Sequence, residues 1–134
     1  MSLLETCASL AIISLAIIFA APSFIRAREN YQLDVLARQV AGRMQWTRVK
    51  AIGRNGDCRL RVDSSTSYVI ECQDSAWHTD QAVILPPGFH ITANAAPEFH
   101  KRGNAAPAGT ITVWDARSNS KRVIVNISGR VRVE

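Results

Sequence analysis

The sequence lacks the short motifs by which most enzymes are recognised. Its 134 residues contain no Cys-x-x-Cys pair, no His-Glu-x-x-His motif, no Gly-x-Ser-x-Gly turn and no glycine-rich phosphate loop. The hydroxyl run Ser64–Ser67 is typical of a turn rather than of a catalytic triad. His78, His90 and His100 are scattered without the spacing of metal ligands, so we interpret each as a surface or half-buried side chain. We therefore expect no enzymatic activity, no catalytic residues, no cofactor and no metal site.

Charge is absent from the first 25 residues except at Glu5. The apolar run Leu3–Ala21 is long enough to cross a bilayer as a helix. A carboxylate in hydrocarbon costs about 2.5–3.5 kcal/mol on insertion scales and usually marks a functional position. The run also lacks the basic region and the small-residue cleavage site of a secretory signal peptide. We expect a membrane or filament helix with a functional Glu5, and a removed basic leader, with Met1 as a processed end, would explain the missing positive charge.

The rest of the chain has the composition of one small folded domain. Charged residues make up 20% and hydrophobic residues 47% of the sequence, which favours a globular over a disordered chain. The charge is uneven, because residues 24–56 and 101–134 each carry +5 while residues 57–100 carry −4. The two basic segments are compatible with an anionic partner, with a filament contact or with an ordinary solvated surface.

Cysteine is scarce, and two of the three cysteines flank a hairpin-like segment, CRLRVDSSTSYVIEC. We place its turn at residues 63–67, centred on Ser65. In that register the apolar side chains alternate onto one face, as a half-buried hairpin requires. The facing pairs are Cys58 with Cys72, Leu60 with Ile70, Val62 with Tyr68 and, on the other face, Arg59 with Glu71. We predict a Cys58–Cys72 disulfide and an oxidising compartment, the alternative being two reduced buried cysteines.

Hydrophobic periodicity organises the chain into a helical half and a β half. A stripe at three- and four-residue steps predicts that one helix runs from about Ser2 to about Ile52, with a bend near Pro22. Gly53 and the Asn55–Gly56 pair are its predicted end. The stripe consists of Leu33, Leu36, Ala37, Val40 and Met44. After the hairpin, the predicted strands are Ala82–Leu85, Phe89–Ala93, Thr110–Asp115, Lys121–Ile127 and Arg130–Val133, with a loop at Ala95–Gly109.

The carboxyl-terminal run SGRVRVE places two arginines at alternating positions. On a strand, Arg130 and Arg132 point to one face and Val131 and Val133 to the other. Guanidinium groups suit phosphate oxygens, so this face is a candidate nucleic-acid surface that would bind without sequence preference. The alternative is an edge strand that uses charge to prevent aggregation. The other candidate residues are Lys121 and Arg122 on the adjacent strand and Lys101 and Arg102 on a loop.

Several of these segments resemble type IV pilins and pseudopilins. The start MSLLE, with Glu5 in an apolar stretch and Pro22 in AAPSF, resembles the class III signal of that family. LARQVAGRMQWTRVKAIGRNG and VIVNISGRVRVE resemble the helix end and closing strands of the GspH/FimT group. The resemblance implies a leader peptidase that also methylates the new amino terminus. It also implies that Gly129–Arg132 correspond to the GRxR motif of FimT-type proteins that take part in DNA uptake.

The expected fold is therefore α+β and pilin-like, with a long amino-terminal helix, kinked near Pro22, packed on a small antiparallel β-sheet domain. Residues 1–25 would form the transmembrane or filament-core helix, and residues 26–134 the globular domain, helical to about residue 53. Glu5 and Met1 would set assembly register, and Pro22 would supply flexibility. The resemblance implies other pilin subunits as partners and the inner membrane as the site before assembly, with the carboxyl-terminal domain in the periplasm.

Three functions stay open at this point. The chain is a structural subunit of a type IV pilus, a DNA-binding subunit used in natural transformation, or a pseudopilin of type II secretion. The first places it in an extracellular filament of pilins, the second adds DNA as a partner through the GRxR motif, and the third places it in a periplasmic pseudopilus that contacts exported protein.

Overall fold

A computed structural model describes residues 2–134 of the chain. Over that range it contains one long helix followed by eight strands. Their bounds are α1 Leu3–Arg54, β1 Asp57–Ser64, β2 Ser67–Gln73, β3 Trp77–Ile84, β4 His90–Ala93, β5 Glu98–Phe99, β6 Gly109–Trp114, β7 Ser120–Val125 and β8 Val131–Val133. The chain divides into two compact units, one ending at Gln32 and the other comprising Leu33–Glu134.

The second unit buries one stripe of α1 against its strands. All five residues of the predicted apolar stripe are buried, and Ala41, Thr47 and Ala51 extend it. The helix ends where Asn55 adopts a positive φ of 54° and the Gly56 amide donates to the Ala51 carbonyl at 3.1 Å. This arrangement satisfies a terminal helix carbonyl through a left-handed residue. The predicted end is therefore correct to within two residues.

The strands of the second unit form two antiparallel sheets. Within the described chain, one sheet has the order β3-β2-β1-β5 and the other the order β4-β6-β7-β8. Inward side chains of both sheets join the helix stripe in one core, which includes Leu60, Ile70, Phe99, Ile111 and Val123. The predicted small antiparallel β-sheet domain is confirmed, and the structure adds that its strands divide into two sheets.

The β1–β2 hairpin has the predicted register. Cys58 lies opposite Cys72 in the sheet and is joined to it by a disulfide, with the Cα atoms 4.1 Å apart. Leu60 also lies opposite Ile70, so the predicted apolar face is confirmed. The turn is tighter than predicted: Ser64 pairs with Ser67, and a register shift between Val62 and Ser64 absorbs the difference.

Two other strand predictions need correction. Residues 95–109, predicted as a loop, contain the short strand β5, in which Phe99 pairs with Cys58 and is fully buried. Strand β3 begins at Trp77, five residues before the predicted start at Ala82. Strand β3 is an edge strand and is held by its backbone pairing with β2. Its first residues therefore do not need the alternating polarity on which the prediction relied.

Pro22 lies inside α1, and the helix continues through it. The proline ring leaves the Ile18 carbonyl without its usual amide donor, because proline has no N–H. The continuous helix agrees with the predicted extent. The flexibility assigned to Pro22 stays a prediction.

Candidate functional site

The first candidate site is the apolar beginning of α1. Every side chain from Ser2 to Arg28 is exposed, including Leu3, Ile12 and Phe19. By length and composition, the helix is long and apolar enough to cross a membrane. A helix that is apolar on all sides is stable in water only when something outside it covers those sides.

Most polar side chains in this segment form hydrogen bonds with carbonyl groups of the same helix. Thr6 donates to the Leu3 carbonyl and Ser9 to the Glu5 carbonyl, both at 2.8 Å. Ser14 and Ser23 donate to the carbonyls of Leu10 and Ala20 in the same way. Such internal bonds lower the cost of placing a hydroxyl in an apolar environment. Glu5 differs because its carboxylate carries charge, which a bond within the helix cannot neutralise.

Glu5 lies in the first turn of α1, where a negative charge suits the helix dipole. The amide of Glu5 donates to the Ser2 carbonyl at 3.0 Å, so the helix begins directly before it. Met1, the predicted partner in assembly, lies outside the described residues. The proposed Glu5–Met1 pairing therefore stays a prediction.

The second candidate site is the edge strand β8. Val131 and Val133 pack against the core, while Arg130 and Arg132 are exposed, which confirms the predicted alternation. Arg132 pairs with Ile124 of β7. A tight turn precedes the strand, in which the Gly129 amide donates to the Asn126 carbonyl at 2.8 Å. The two arginines therefore point away from the core at the edge of the second sheet.

Gly129 is required here by two features of its surroundings. Its φ is +77°, a conformation that residues with a side chain rarely adopt. A Cβ at this position would also overlap the carbonyl oxygen of Gly103. Gly103 has a positive φ of 79° as well. The two loops thus approach each other backbone to backbone, and the first residue of the GRxR segment has a structural role.

Arg48 of α1 also lies beside this turn, and no sequence pattern connects it with the carboxyl terminus. Its Nε would be 3.0 Å from a Cβ on Gly129 and 3.1 Å from one on Gly103. Its Nη2 lies 3.5 Å from the Ser128 carbonyl, and among described atoms its buried Nε has no hydrogen-bond partner. Arg48 and Arg130 both line a cavity of about 510 Å³, together with Gln45, Val49, Ile52, Gly129 and Val131.

The remaining predicted basic residues do not form one surface. Arg122 lies on the same sheet face as Arg132 and pairs with Glu134 at 3.5 Å. Lys121 belongs to the opposite face, 3.9 Å from Asp34 of α1. Lys101 and Arg102 are exposed in the loop that leads to Gly103. The structure therefore separates Lys121 from the other candidates and adds Arg48 to them.

A buried carboxylate stabilises the β1–β2 hairpin of the first sheet. Glu71 is 6% exposed and accepts hydrogen bonds from Arg59 at 2.7 Å and from Arg61 at 2.9 Å. The guanidinium of Arg61, followed by that of Arg59, holds the pKa of Glu71 below its ordinary value despite the opposing effect of burial. Arg59 also stacks over Trp77, 4.0 Å from the ring centre. The first sheet is therefore held by an ionic network as well as by its disulfide.

The fold is shared with solved minor pilins and pseudopilins. The minor pseudopilin EpsH from the type 2 secretion system of Vibrio cholerae has a TM-score of 0.67 at 14% identity, over 76% of this chain and 95% of that chain. The type IV minor pilin FimU of Pseudomonas aeruginosa has a TM-score of 0.65 at 12% identity, over 79% and 90%. No protein-family model and no curated protein sequence matches the chain. The predicted pilin-like α+β fold is confirmed.

Proposed function

We propose that the chain is a structural subunit of a type IV pilus or a related filament, of the GspH/FimT type. One observation carries this proposal: helix α1 is apolar and exposed on all sides over residues 3–25, and buries a single stripe in the core of the second unit. A soluble binding module would not need the exposed apolar segment at residues 3–25. The likeness in fold to EpsH and FimU supports the same conclusion.

In this proposal the first part of α1 passes from the inner membrane into the core of a filament. Its hydroxyls need no outside partner, since they bond to helix carbonyls. Glu5 would pair with the processed amine of Met1 on a neighbouring subunit. A subunit in the wrong axial register would bury an unpaired carboxylate, which typically costs about 3–5 kcal/mol. The Cys58–Cys72 disulfide suits the oxidising periplasm, in which the second unit would fold.

Replacement of Glu5 tests this role directly. Cells that express Glu5→Leu should retain the protein in the inner membrane but lose it from sheared filaments. The control is Ser9→Ala, which replaces an uncharged side chain in the same segment. This variant should be incorporated normally, because Ser9 forms its hydrogen bond within its own helix. Incorporation of the Glu5→Leu protein at the normal level would overturn the assembly mechanism.

DNA binding is a second candidate function, and a specific arrangement supports it. Arg132 is exposed on the edge strand β8, Arg130 is exposed directly before that strand, and Arg48 lies beside the preceding turn. Three guanidinium groups near one edge could contact successive phosphates without reading bases. The full chain in detergent should bind duplex DNA more weakly as salt rises. The double variant Arg130→Ala, Arg132→Ala should lose most of that affinity.

The control for this experiment removes the same charge elsewhere. Arg38 pairs with Asp34 on α1 and Arg43 donates to Gln81, so neither belongs to the β8 edge. The double variant Arg38→Ala, Arg43→Ala should retain nearly normal DNA affinity. Equal losses in the two double variants would indicate a general charge effect and would remove the β8 site.

A role in type II secretion is the alternative placement of the same fold, supported by the likeness to EpsH. A deletion strain distinguishes the two systems. Loss of protein export with intact pili would favour the pseudopilin, and loss of pili with intact export would favour the pilus subunit. The copy number of the chain in purified filaments would then separate a main component from a minor one.

A further inference from the structure

A histidine and two carboxylates converge where β1 begins and β5 ends in the first sheet. Asp57 is the first residue of β1, Glu98 lies in β5, and His100 follows that strand. Strands β1 and β5 pair antiparallel, which brings these distant residues together. His100 Nδ1 lies 2.9 Å from Asp57 Oδ1 and 4.0 Å from Glu98 Oε1. One oxygen of each carboxylate and the ring nitrogen all lie within 4.8 Å of one another.

The hydrogen bond formed by His100 Nε2 determines whether Nδ1 can act as a metal ligand. Nε2 lies 3.1 Å from the carbonyl oxygen of Ala106, which can only accept a hydrogen bond. Nε2 therefore carries the ring proton, and in a neutral imidazole the lone pair of Nδ1 faces the two carboxylates. Acceptors arranged in this way require a positive charge between them, either a second ring proton or a metal ion.

The surrounding charges leave this position open to a cation. Arg59 lies opposite Glu98 in the sheet, but its guanidinium bonds to Glu71 and stacks over Trp77. Lys101 and Arg102 follow His100 and are exposed. The side chains of Asp57, Glu98 and His100 are between 21% and 34% exposed, so an ion can enter from solvent and keep bound water.

We propose that Asp57, Glu98 and His100 form a binding site for a divalent transition-metal ion, with Zn²⁺ as the probe. One imidazole nitrogen and two carboxylate oxygens are ligands that Zn²⁺ accepts at about 2.0–2.2 Å, and a water molecule would complete a tetrahedron. A carbonyl that accepts the other ring N–H is the usual support of a metal-bound histidine. This site goes beyond the proposed filament function and does not depend on it.

Bound metal would link two parts of the second unit. Asp57 adjoins the disulfide at Cys58, whereas His100 begins the loop that reaches Gly103 and its contact with Gly129. The Gly103 amide donates to the His100 carbonyl at 2.7 Å, so the loop turns directly after the histidine. An ion at this position would therefore stabilise the loop that carries Lys101 and Arg102.

Calorimetric titration of the full chain in detergent with Zn²⁺ tests the proposal. The protein is first treated with EDTA and dialysed, and Cys7→Ser is the background because Cys7 is an exposed free thiol. We expect one Zn²⁺ per chain and a melting temperature that rises with Zn²⁺ concentration. His100→Gln and Glu98→Gln should each weaken binding by more than about tenfold, since loss of even a supporting residue costs about 10- to 100-fold.

His78→Gln is the matched control. His78 also lies near a carboxylate, with Nδ1 3.7 Å from Asp74, but that pair lacks the third ligand. This variant should bind Zn²⁺ as the background protein does. Absence of stoichiometric binding in the background protein would overturn the proposal. So would unchanged affinity in a folded His100→Gln or Glu98→Gln protein, with folding verified by circular dichroism.

Discussion

The two parts of helix α1 use apolar residues in opposite ways. From Leu3 to Ile25 they surround the helix and are exposed, whereas from Leu33 onward they form one buried stripe. Leu3 is 83% exposed and Met44 is fully buried, although both lie in the same helix. The second part is stabilised by its own chain. The first part is apolar on all sides and is exposed along its length.

Truncation of one apolar side chain in each part should give the largest contrast. Met44→Ala should lower the free energy of unfolding by about 2–5 kcal/mol, because it opens a cavity in the core. Ile13→Ala, at a position 55% exposed, should change it by less than about 0.5 kcal/mol. Urea titration of the full chain in detergent, followed by tryptophan fluorescence, measures both. Equal losses would contradict the division of α1.

The cysteines extend the comparison to covalent bonds. Cys58 and Cys72 are 14 residues apart, and a disulfide that closes a loop of this length contributes about 3 kcal/mol. The double variant Cys58→Ser, Cys72→Ser should lose about that much in the same titration. Cys7→Ser in the first part of α1 is the control and should behave as the unmodified chain does. A stability unaffected by loss of both disulfide cysteines would show that the core suffices alone.

Two glycines, one in a turn and one in α1, should respond in opposite ways to replacement by alanine. Gly129→Ala should cost about 1–3 kcal/mol, because its φ is positive and the new Cβ would overlap the Gly103 carbonyl. Gly42→Ala in α1 should instead stabilise by about 0.5–1 kcal/mol, since nothing lies within 4 Å of the added atom. Thermal unfolding of the two variants should shift in opposite directions. A neutral Gly129→Ala would show that the two loops can separate at no cost.

The smallest expected effect is one of pH. The pKa of Glu71 is held below its ordinary 4.5 by Arg61 and Arg59, so the unfolded chain takes up a proton before the folded one does. The resulting stabilisation is complete well above pH 4.5 and is lost as pH falls through the lower pKa of the folded state. Glu71→Gln should remove it.

Urea midpoints between pH 7 and pH 3 measure this effect. The difference in stability between the unmodified chain and Glu71→Gln should shrink as the pH falls. The Ile13→Ala protein should follow the unmodified chain throughout, because this substitution leaves Glu71 and its two arginine partners in place. A difference that is constant over this range would show that the charge of Glu71 contributes nothing.

Much of the fold was predictable where the signal is local. The stripe at Leu33, Leu36 and Val40 follows helical spacing, and all three residues are buried. The hairpin register follows from one alternation that satisfies both its apolar face and its cysteines. Strand β5 was missed because it is two residues long and lies in a segment rich in Ala, Pro and Gly. Its position depends on Phe99, whose burial requires partners far along the chain.

The candidate sites were predictable to different degrees. Glu5 stands out because its apolar neighbours are adjacent in sequence, and Arg130 and Arg132 because strand alternation places them on one face. Lys121 and Arg122 are adjacent in sequence but lie on opposite faces of the sheet, because side chains alternate along a strand.

Local patterns in the sequence were enough to predict the apolar helix, its buried continuation and the disulfide hairpin. These features arise from spacing and pairing over short distances, where backbone geometry leaves few alternatives. Only the tertiary structure brought Arg48 to the turn at Ser128, 80 residues away, and Asp57 to His100, 43 residues away. The first contact depends on how the helix packs against the turn before β8, and the second on the pairing of β1 with β5. No local periodicity relates residues so far apart.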